Sequence, residues 1–406
     1  MPSAFKHFAD PVHGFISVPR GPLLALIDHP IVQRLRRIKQ LGLGHLVFPS
    51  AEHTRFGHAL GVLGLMQDAI ENLRNRGFHI SDDEGRAALA TALLHDIGHG
   101  PFSHTLEHVL FPGISHEVFS LRLMKTLETA FPDTLSLAVA IFTNRYERPF
   151  LHQLVSSQLD VDRLDYLRRD AFFTGVAEGQ VGTYRIIHTM TLSDDEKLCI
   201  EAKGVPVVEN YLVARRLMYW QVYLHKTVLA GDFLLRQIVY RAREVCTPKD
   251  YMSKPLEDLL TWALDPTDEV SDHMIDAYCA IDDLDLLVQI KRWSTDASDI
   301  VLKTLSNLFI QRRFPKVRFL DASVTEEQVQ STLHDAREEL PAPLRETPHH
   351  LVAVEETHHR GYRQHGSPIQ IRDHHGDVWP MESFASGGIM SALSQIEQKR
   401  YIVTPS

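Results

Sequence analysis

Apolar residues recur at helical spacing through much of this chain. Ile31, Leu35, Ile38 and Leu41 mark one face of a helix predicted from Asp28 to Leu41. Pro30 suits its first turn, and Gly42 and Gly44 end it. The same periodicity predicts a helix from His58 to Leu73, stopped at Gly77. Another begins at Ser81, whose followers Asp82, Asp83 and Glu84 suit the positive end of a helix dipole. Its apolar body runs from Ala87 to Leu94 and straight into His95-Asp96. Further helices are predicted over His116 to Phe131, Thr134 to Phe142, Leu151 to Phe173 and Asn210 to Val245, with more helix to about Ile310. Leu198 to Val208 reads as a β-hairpin around Lys203-Gly204. Beyond Pro315 the pattern changes to short strand-like runs at Val317 to Leu320, Leu351 to Val354 and Ile369 to Ile371. The expectation is a mainly α chain, with a helical domain over residues 1–310 and a smaller α+β C-terminal domain over residues 311–406.

Bulk properties narrow the partners. A formal net charge of -10 argues against a broad surface for a nucleic-acid backbone, while leaving room for a local basic pocket. Cys199, Cys246 and Cys279 are far apart and lack CxxC spacing, so neither a disulfide framework nor a zinc ribbon is expected. That usage fits a reducing, cytoplasmic setting. Residues Met1 to Gly14 lack the apolar core of a signal peptide, and no uncharged apolar run is long enough for a bilayer.

Histidine changes the picture. Of 24 histidines, eight fall between His53 and His116, among acids and glycines. A second group, His349, His350, His358, His359, His365, His374 and His375, lies in polar sequence and reads as solvated loops rather than a second metal site. Taken alone, His95-Asp96 at the end of an apolar helix is more often a hydrogen-bonded core pair than a ligand pair. His58 begins a different helix and Asp162 lies on a third. Two imidazoles and two carboxylates would suit one divalent ion, Fe, Mn, Zn or Mg, with positions left for water. Asp162, Tyr166 and Asp170 recur every four residues and share a helix face. Arg215, Tyr219, Tyr223 and Lys226 likewise follow one face, which by itself would be read as solvated.

The order His58, His95-Asp96, Asp162 resembles the H…HD…D signature of HD-superfamily metal-dependent phosphohydrolases. The likeness extends to Asp10-Pro11-Val12-His13-Gly14, Gln33-Arg34-Leu35-Arg36, Lys39-Gln40-Leu41-Gly42, Arg55-Phe56-Gly57-His58, the run from His95 to His104, and Asp160 to Tyr166. Together these resemble the deoxynucleoside triphosphate triphosphohydrolase branch, over roughly residues 5 to 230. The resemblance implies an HD-domain helical bundle with His58, His95, Asp96 and Asp162 as metal ligands. It implies catalytic or proton-transfer roles for His99, His104, Glu107 and His116, with Glu107 standing where relatives commonly have Asp. It implies substrate contacts from Gln40, Arg55, Arg163, Tyr166, Asp170, Arg215, Tyr223 and Lys226. Asp28, Gln33 and Arg36 resemble residues that bind an activating nucleotide in regulated relatives. A dNTP substrate, Mg accompanying the nucleotide, and a homo-oligomer (dimer or tetramer) follow from the same likeness.

Two other readings stay open at this stage. The same metal set could serve another nucleotide or phosphoester, since it constrains reaction class more than substrate. A non-catalytic nucleotide-sensing protein would keep the fold and lose the chemistry.

Overall fold

The computed structural model describes residues 4–245, 252–262, 270–321, 323–360, 362, 368–385 and 388–406, with the side chains of residues 358–360, 389 and 396 left aside. Cys246 and His365 lie outside the described residues, as do the side chains of His358 and His359. The chain opens with an antiparallel hairpin, β1 (Phe5–Asp10) and β2 (Gly14–Pro19), in which Asp10 faces Gly14 across the turn. α1 (Pro22–Asp28) and α2 (Pro30–Gln33) follow.

The helix expected from Asp28 to Leu41 is cut short. α2 tightens into a 3-10 turn at Arg34–Arg37 and the backbone is extended at Ile38. Lys39 then bridges Thr54 and donates its N–H to the Asp283 carboxylate at 2.9 Å, so tertiary bonds take the place of helical ones.

α3 (Arg55–Asn75) and α4 (Asp82–Leu94) form the centre of the helical body. Their apolar faces are buried, from Phe56 and Ala59 to Leu73 on one and Ala87 to Leu94 on the other. Ser81 and Glu84 form a reciprocal capping box that starts α4 where the sequence placed it. α5 (Glu107–Leu110), α6 (His116–Glu128), α7 (Pro132–Phe142) and α8 (Pro149–Gln153) pack around them. α9 (Val161–Thr174) is a separate helix, not the continuation of one beginning at Leu151. Asp160 causes the break: it accepts from Arg163 N at 2.8 Å as N-cap and from Ser157 N at 2.7 Å.

α10 (Thr183–Thr189) leads into β3 (Met190–Leu192) and β4 (Leu198–Glu201), which pair antiparallel. The hairpin therefore spans residues 190–201 and not 198–208. Val205-Pro206 instead opens α11 (Val205–Met218), where proline suits the first turn. The long helix expected over 210–245 is also divided. A π-helical turn at Tyr219–Tyr223 and a break at Leu224 and His225 separate α11 from α12 (Lys226–Val245). α13 (Lys254–Thr261), α14 (Asp272–Cys279), α15 (Asp283–Asp296) and α16 (Ile300–Ile310) complete the helical part.

The C-terminal part holds β5 (Lys316–Phe319), α17 (Glu326–Glu338), β6 (Ala353–Arg360), β7 (Gln370–Arg372), β8 (Val378–Pro380), α18 (Ile389–Ser394) and β9 (Ile396–Thr404). β9 runs antiparallel between β5 and β6. β7 pairs in parallel with β4, so the C-terminal segment is joined to the helical part through one sheet. The fold is mainly α, with small sheets. His350 is a correction: it is 1% exposed and its Nδ1 meets Gln237 Oε1 at 2.9 Å, so it is a core residue and not part of a solvated loop. Among the described residues no disulfide is formed by Cys199 or Cys279, and no helix is long and apolar enough to cross a membrane.

Candidate active site

Three helix ends converge on one point. His58 stands in the first turn of α3, His95 is the C-cap of α4, and Asp162 lies in the first turn of α9. Asp162 Oδ1 is 3.1 Å from His58 Nε2 and 3.4 Å from His95 Nε2. Asp96 joins them, 3.7 Å from His58 Nε2 and 3.5 Å from His95 Nε2. Donor atoms bound about 2.1 Å from one ion stand about 3.0 to 3.4 Å apart, so these spacings suit a shared ion.

The histidines themselves supply the test of fit. His95 Nδ1 is bonded to Ala92 O at 2.8 Å, and His58 Nδ1 to Asp165 Oδ2 at 2.7 Å. Each Nε2 is buried and makes no hydrogen bond. Two orphaned buried nitrogens facing two carboxylates are costly unless something binds between them. The group of His58, His95 and Asp162 could hold a metal ion, with Asp96 beside it. Burial opposes a charge on His58, yet the Asp162 and Asp165 carboxylates prevail and push its pKa up to about 10, so an arriving ion competes with a proton.

Asp96 also pairs with Arg55, whose Nε donates to Ser103 Oγ at 2.7 Å. Ser103 and Phe102 both have left-handed backbones, at φ 50° and 54°. This costly conformation is held by Asp283, which accepts from Phe102 N at 2.7 Å. Burial pushes the Asp283 carboxyl up to about 6.

A second histidine group lies alongside. His99 and His116 stack with ring centroids 3.9 Å apart and planes 16° from parallel, and His104 stands edge-on to both. Their donor atoms are close enough to suggest a second ion. Two nearly parallel rings, however, cannot both aim in-plane nitrogens at one point within bonding distance. The arrangement suits proton transfer better than coordination. Glu107 anchors it: Oε1 accepts from His116 N at 2.7 Å and meets His116 Nδ1 at 2.6 Å, and Oε2 meets His104 Nδ1 at 3.0 Å. Burial would raise the Glu107 carboxyl, but these bonds hold it far below the usual carboxylate range. His99 is the opposite case. Burial and the Arg55 guanidinium keep its imidazole neutral well below the usual histidine pKa.

Gly98 brings the two helices together. A Cβ there would meet His116 O and Ser120 N at 2.2 Å, so only glycine lets the His95–His99 turn approach α6 this closely. Arg34 holds the same turn from behind, donating to His99 O at 2.7 Å.

Both groups open on a cavity of 510 Å³. Its walls include Gln40, Arg55, Arg163, Tyr166, Asp170 and Tyr223 among the expected substrate residues. Tyr223 donates its hydroxyl to Asp170 Oδ2 at 2.8 Å, and His53 Nε2 meets Asp170 Oδ1 at 2.7 Å. Arg163 is braced by Ser157 O at 2.7 Å. Arg215 and Lys226 are not in the cavity wall. Lys226 turns instead toward Phe319, 5.8 Å from its ring, because the π-turn and the break after it reset the helix face that the spacing implied. Asp28, Gln33 and Arg36 also lie outside the cavity. Gln33 donates to Ile27 O at 2.8 Å, Arg36 donates to Gln33 and covers Phe56, and Lys6 lies 3.7 Å from Asp28.

Two acids lie outside the sequence expectations: Asp165, buried behind His58, and Asp232, in the cavity wall. Asp165 bonds His58 Nδ1, and its i+3 position from Asp162 is the sequence signal that marks it. Asp232 accepts from Thr105 Oγ1 at 2.8 Å and is pushed up to about 6 by burial. Nothing in its local sequence marks it.

Comparison with known proteins places this region in a family. The HD domain family matches residues 55–170 and the HD associated region matches residues 181–256. YwfO of Bacillus subtilis is 34% identical over 333 residues, covering 77% of this chain and 72% of that protein. A phosphohydrolase of Bacteroides thetaiotaomicron, solved by crystallography, superposes with a TM-score of 0.92 at 39% identity, covering 99% of this chain and 100% of that one. A deoxynucleoside triphosphate triphosphohydrolase, the SAMHD1 homolog of Dictyostelium discoideum, is 27% identical over 271 residues. That alignment covers 62% of this chain and 52% of the relative. The chain belongs to the HD-domain family of phosphohydrolases.

Proposed function

We propose that the protein hydrolyses deoxynucleoside triphosphates to deoxynucleoside and triphosphate. The observation that carries this is one cavity lined by Asp96 and Asp162 of the candidate metal centre together with Tyr166, Asp170 and Tyr223. The named activity of the Dictyostelium relative supports it. His58, His95, Asp96 and Asp162 would hold one divalent ion, Fe, Mn, Zn or Mg. Such an ion, when bound, lowers the pKa of water and offsets phosphate charge.

The chain's own residues do the rest. Arg163 and Arg55 offer positive charge to the phosphates, and Tyr166 presents a ring for the sugar to stack on. Asp170, held by Tyr223 and His53, is aimed to accept the 3′-hydroxyl proton in a hydrogen bond. Gln40 contacts sugar or base. Water adds at the α-phosphorus and the bond from phosphorus to the 5′-oxygen breaks. His116, its Nδ1 engaged by Glu107, delivers a proton to the leaving 5′-oxygen, with His99 and His104 beside it. Mg bound with the nucleotide would serve the outer phosphates. Activation by a second nucleotide at Asp28, Gln33 and Arg36, assembly as a dimer or tetramer, and a cytoplasmic setting are parts of the same proposal.

The test is product analysis of metal-loaded protein with each dNTP and rNTP, singly and in pairs, by ion-exchange chromatography. Release of triphosphate with deoxynucleoside supports the proposal. Release of monophosphate with pyrophosphate, or no product from any nucleotide, rejects it and turns attention to other phosphoesters.

A further inference from the structure

The turn of the N-terminal hairpin is bonded to α9 through Asp10 and His13. Asp10 Oδ1 accepts from Val12 N and His13 N, both at 2.9 Å, and so shapes the turn. Its other oxygen accepts from Arg169 Nη1 at 2.8 Å. His13 Nε2 meets Asp165 Oδ1 at 2.7 Å. Arg169 donates to both Asp165 oxygens, at 2.9 Å from Nε and 3.0 Å from Nη2. The remaining position on Asp165 Oδ2 is taken by His58 Nδ1 at 2.7 Å. Side-chain exposure is 4% for His13, 0% for Asp165 and 0% for His58, so water cannot substitute for any of these bonds. The pocket for this network is built: a Cβ on Gly61 would meet Asp165 Oδ1 at 1.9 Å and Arg169 Nη2 at 2.4 Å.

We propose that His13 is a positioning residue for the metal centre, acting through Asp165 to hold His58 Nε2 toward the ion. The inference rests on the reading of His58, His95 and Asp162 as a metal site. His13 and Arg169 share Asp165 Oδ1, as His58 and Arg169 share Oδ2. While His13 holds Oδ1, Oδ2 stays directed at His58 and keeps Nδ1 as the protonated nitrogen, which leaves the Nε2 lone pair for the ion. Without His13, Oδ1 keeps only its Arg169 bond, and the carboxylate is left to shift toward Arg169 and away from His58 Nδ1, which loosens the bond that sets the His58 ring orientation. The hairpin thereby becomes part of the metal centre from 45 residues upstream of His58 in sequence.

The test compares His13→Leu, His13→Gln and wild type as full-length protein. Metal affinity is measured by chelator competition with Mn, and folding by thermal melting of the metal-free protein. Glutamine keeps an N–H long enough to reach Asp165, whereas leucine fills the space without a donor. The expected result is affinity lowered on the order of 10- to 100-fold in His13→Leu and largely restored in His13→Gln. If His13→Leu does not fold, His13→Asn, whose amide falls short of Asp165, takes its place with the same expected loss. Equal affinity in all variants overturns the inference while leaving the metal site standing, as does an equal loss with Leu and Gln. A wild-type protein that binds no ion overturns the metal site and the inference with it.

Discussion

His99, just after the turn that follows α4, and His116, at the start of α6, stack with ring centroids 3.9 Å apart and planes 16° from parallel. The pair stands next to the candidate metal centre, and its geometry separates proton handling from metal holding. His116→Ala should therefore lower turnover on the order of 100- to 10,000-fold and leave the metal content of the protein unchanged. Elemental analysis alongside single-turnover kinetics checks this. A variant that loses its ion along with its activity would place His116 in the metal shell instead.

His95 offers the converse case. Its Nε2 is buried without a hydrogen bond. Adding Mn to the wild-type protein should raise its melting temperature, by about 2.7 kcal/mol of stability at a hundred times Kd. His95→Ala and Asp162→Ala should abolish that rise. Chelation should return wild type to the same baseline. An undiminished rise in either variant would sink the assignment of these ligands.

Gly98 sets how closely α4 and α6 approach. Gly98→Ala places a Cβ 2.2 Å from His116 O and Ser120 N, which are backbone atoms and cannot swing away. Overpacking of this kind typically costs about 1–3 kcal/mol. It should also draw His116 away from His99 and slow turnover. Denaturant midpoints and kcat should fall together; a stable, fully active variant would show that the approach is looser than the geometry implies.

Glu84 gives a pH dependence of definite sign. Burial works to raise its carboxyl, but Arg148 at 2.9 Å and the capping bonds from Ser81 outweigh it and hold the pKa at about 2. A depressed carboxylate contributes stability above its ordinary value of 4.5 that disappears as pH falls toward 2. The contribution is about 1–3 kcal/mol. Asp160, Asp232 and Asp283, each pushed up to about 6, act oppositely and in a separate window. Their carboxyls are raised, so stability falls as pH rises from about 4 to 6. Melting temperature followed from pH 7 to 2 should show both windows, and Glu84→Gln should reduce only the lower one.

Much of the candidate site was legible because its side chains are carried by local signals. Ser81 with Glu84 marks the start of α4, and the apolar run after it leads to His95-Asp96. The faults lay where a local pattern met a tertiary constraint. Helical spacing continues through Tyr219 to Lys226, but the backbone takes a π-turn there and Lys226 leaves the cavity. Val205 to Val208 has strand composition, yet Pro206 sits in the first turn of a helix. Leu151 to Phe173 reads as one period, yet Asp160 spends its carboxylate on capping and divides it.

The sequence by itself placed His58 at one helix start, His95-Asp96 at another helix end and Asp162 on a further helix, in an order that points to a class of chemistry. Only the tertiary structure decided which atoms of those residues face each other. It also decided that Asp165, 107 positions from His58, would bond the nitrogen opposite the candidate ion. Periodicity and capping act within a few turns of one helix, whereas the direction of a buried nitrogen is settled by whichever partner the packed chain brings within 3 Å.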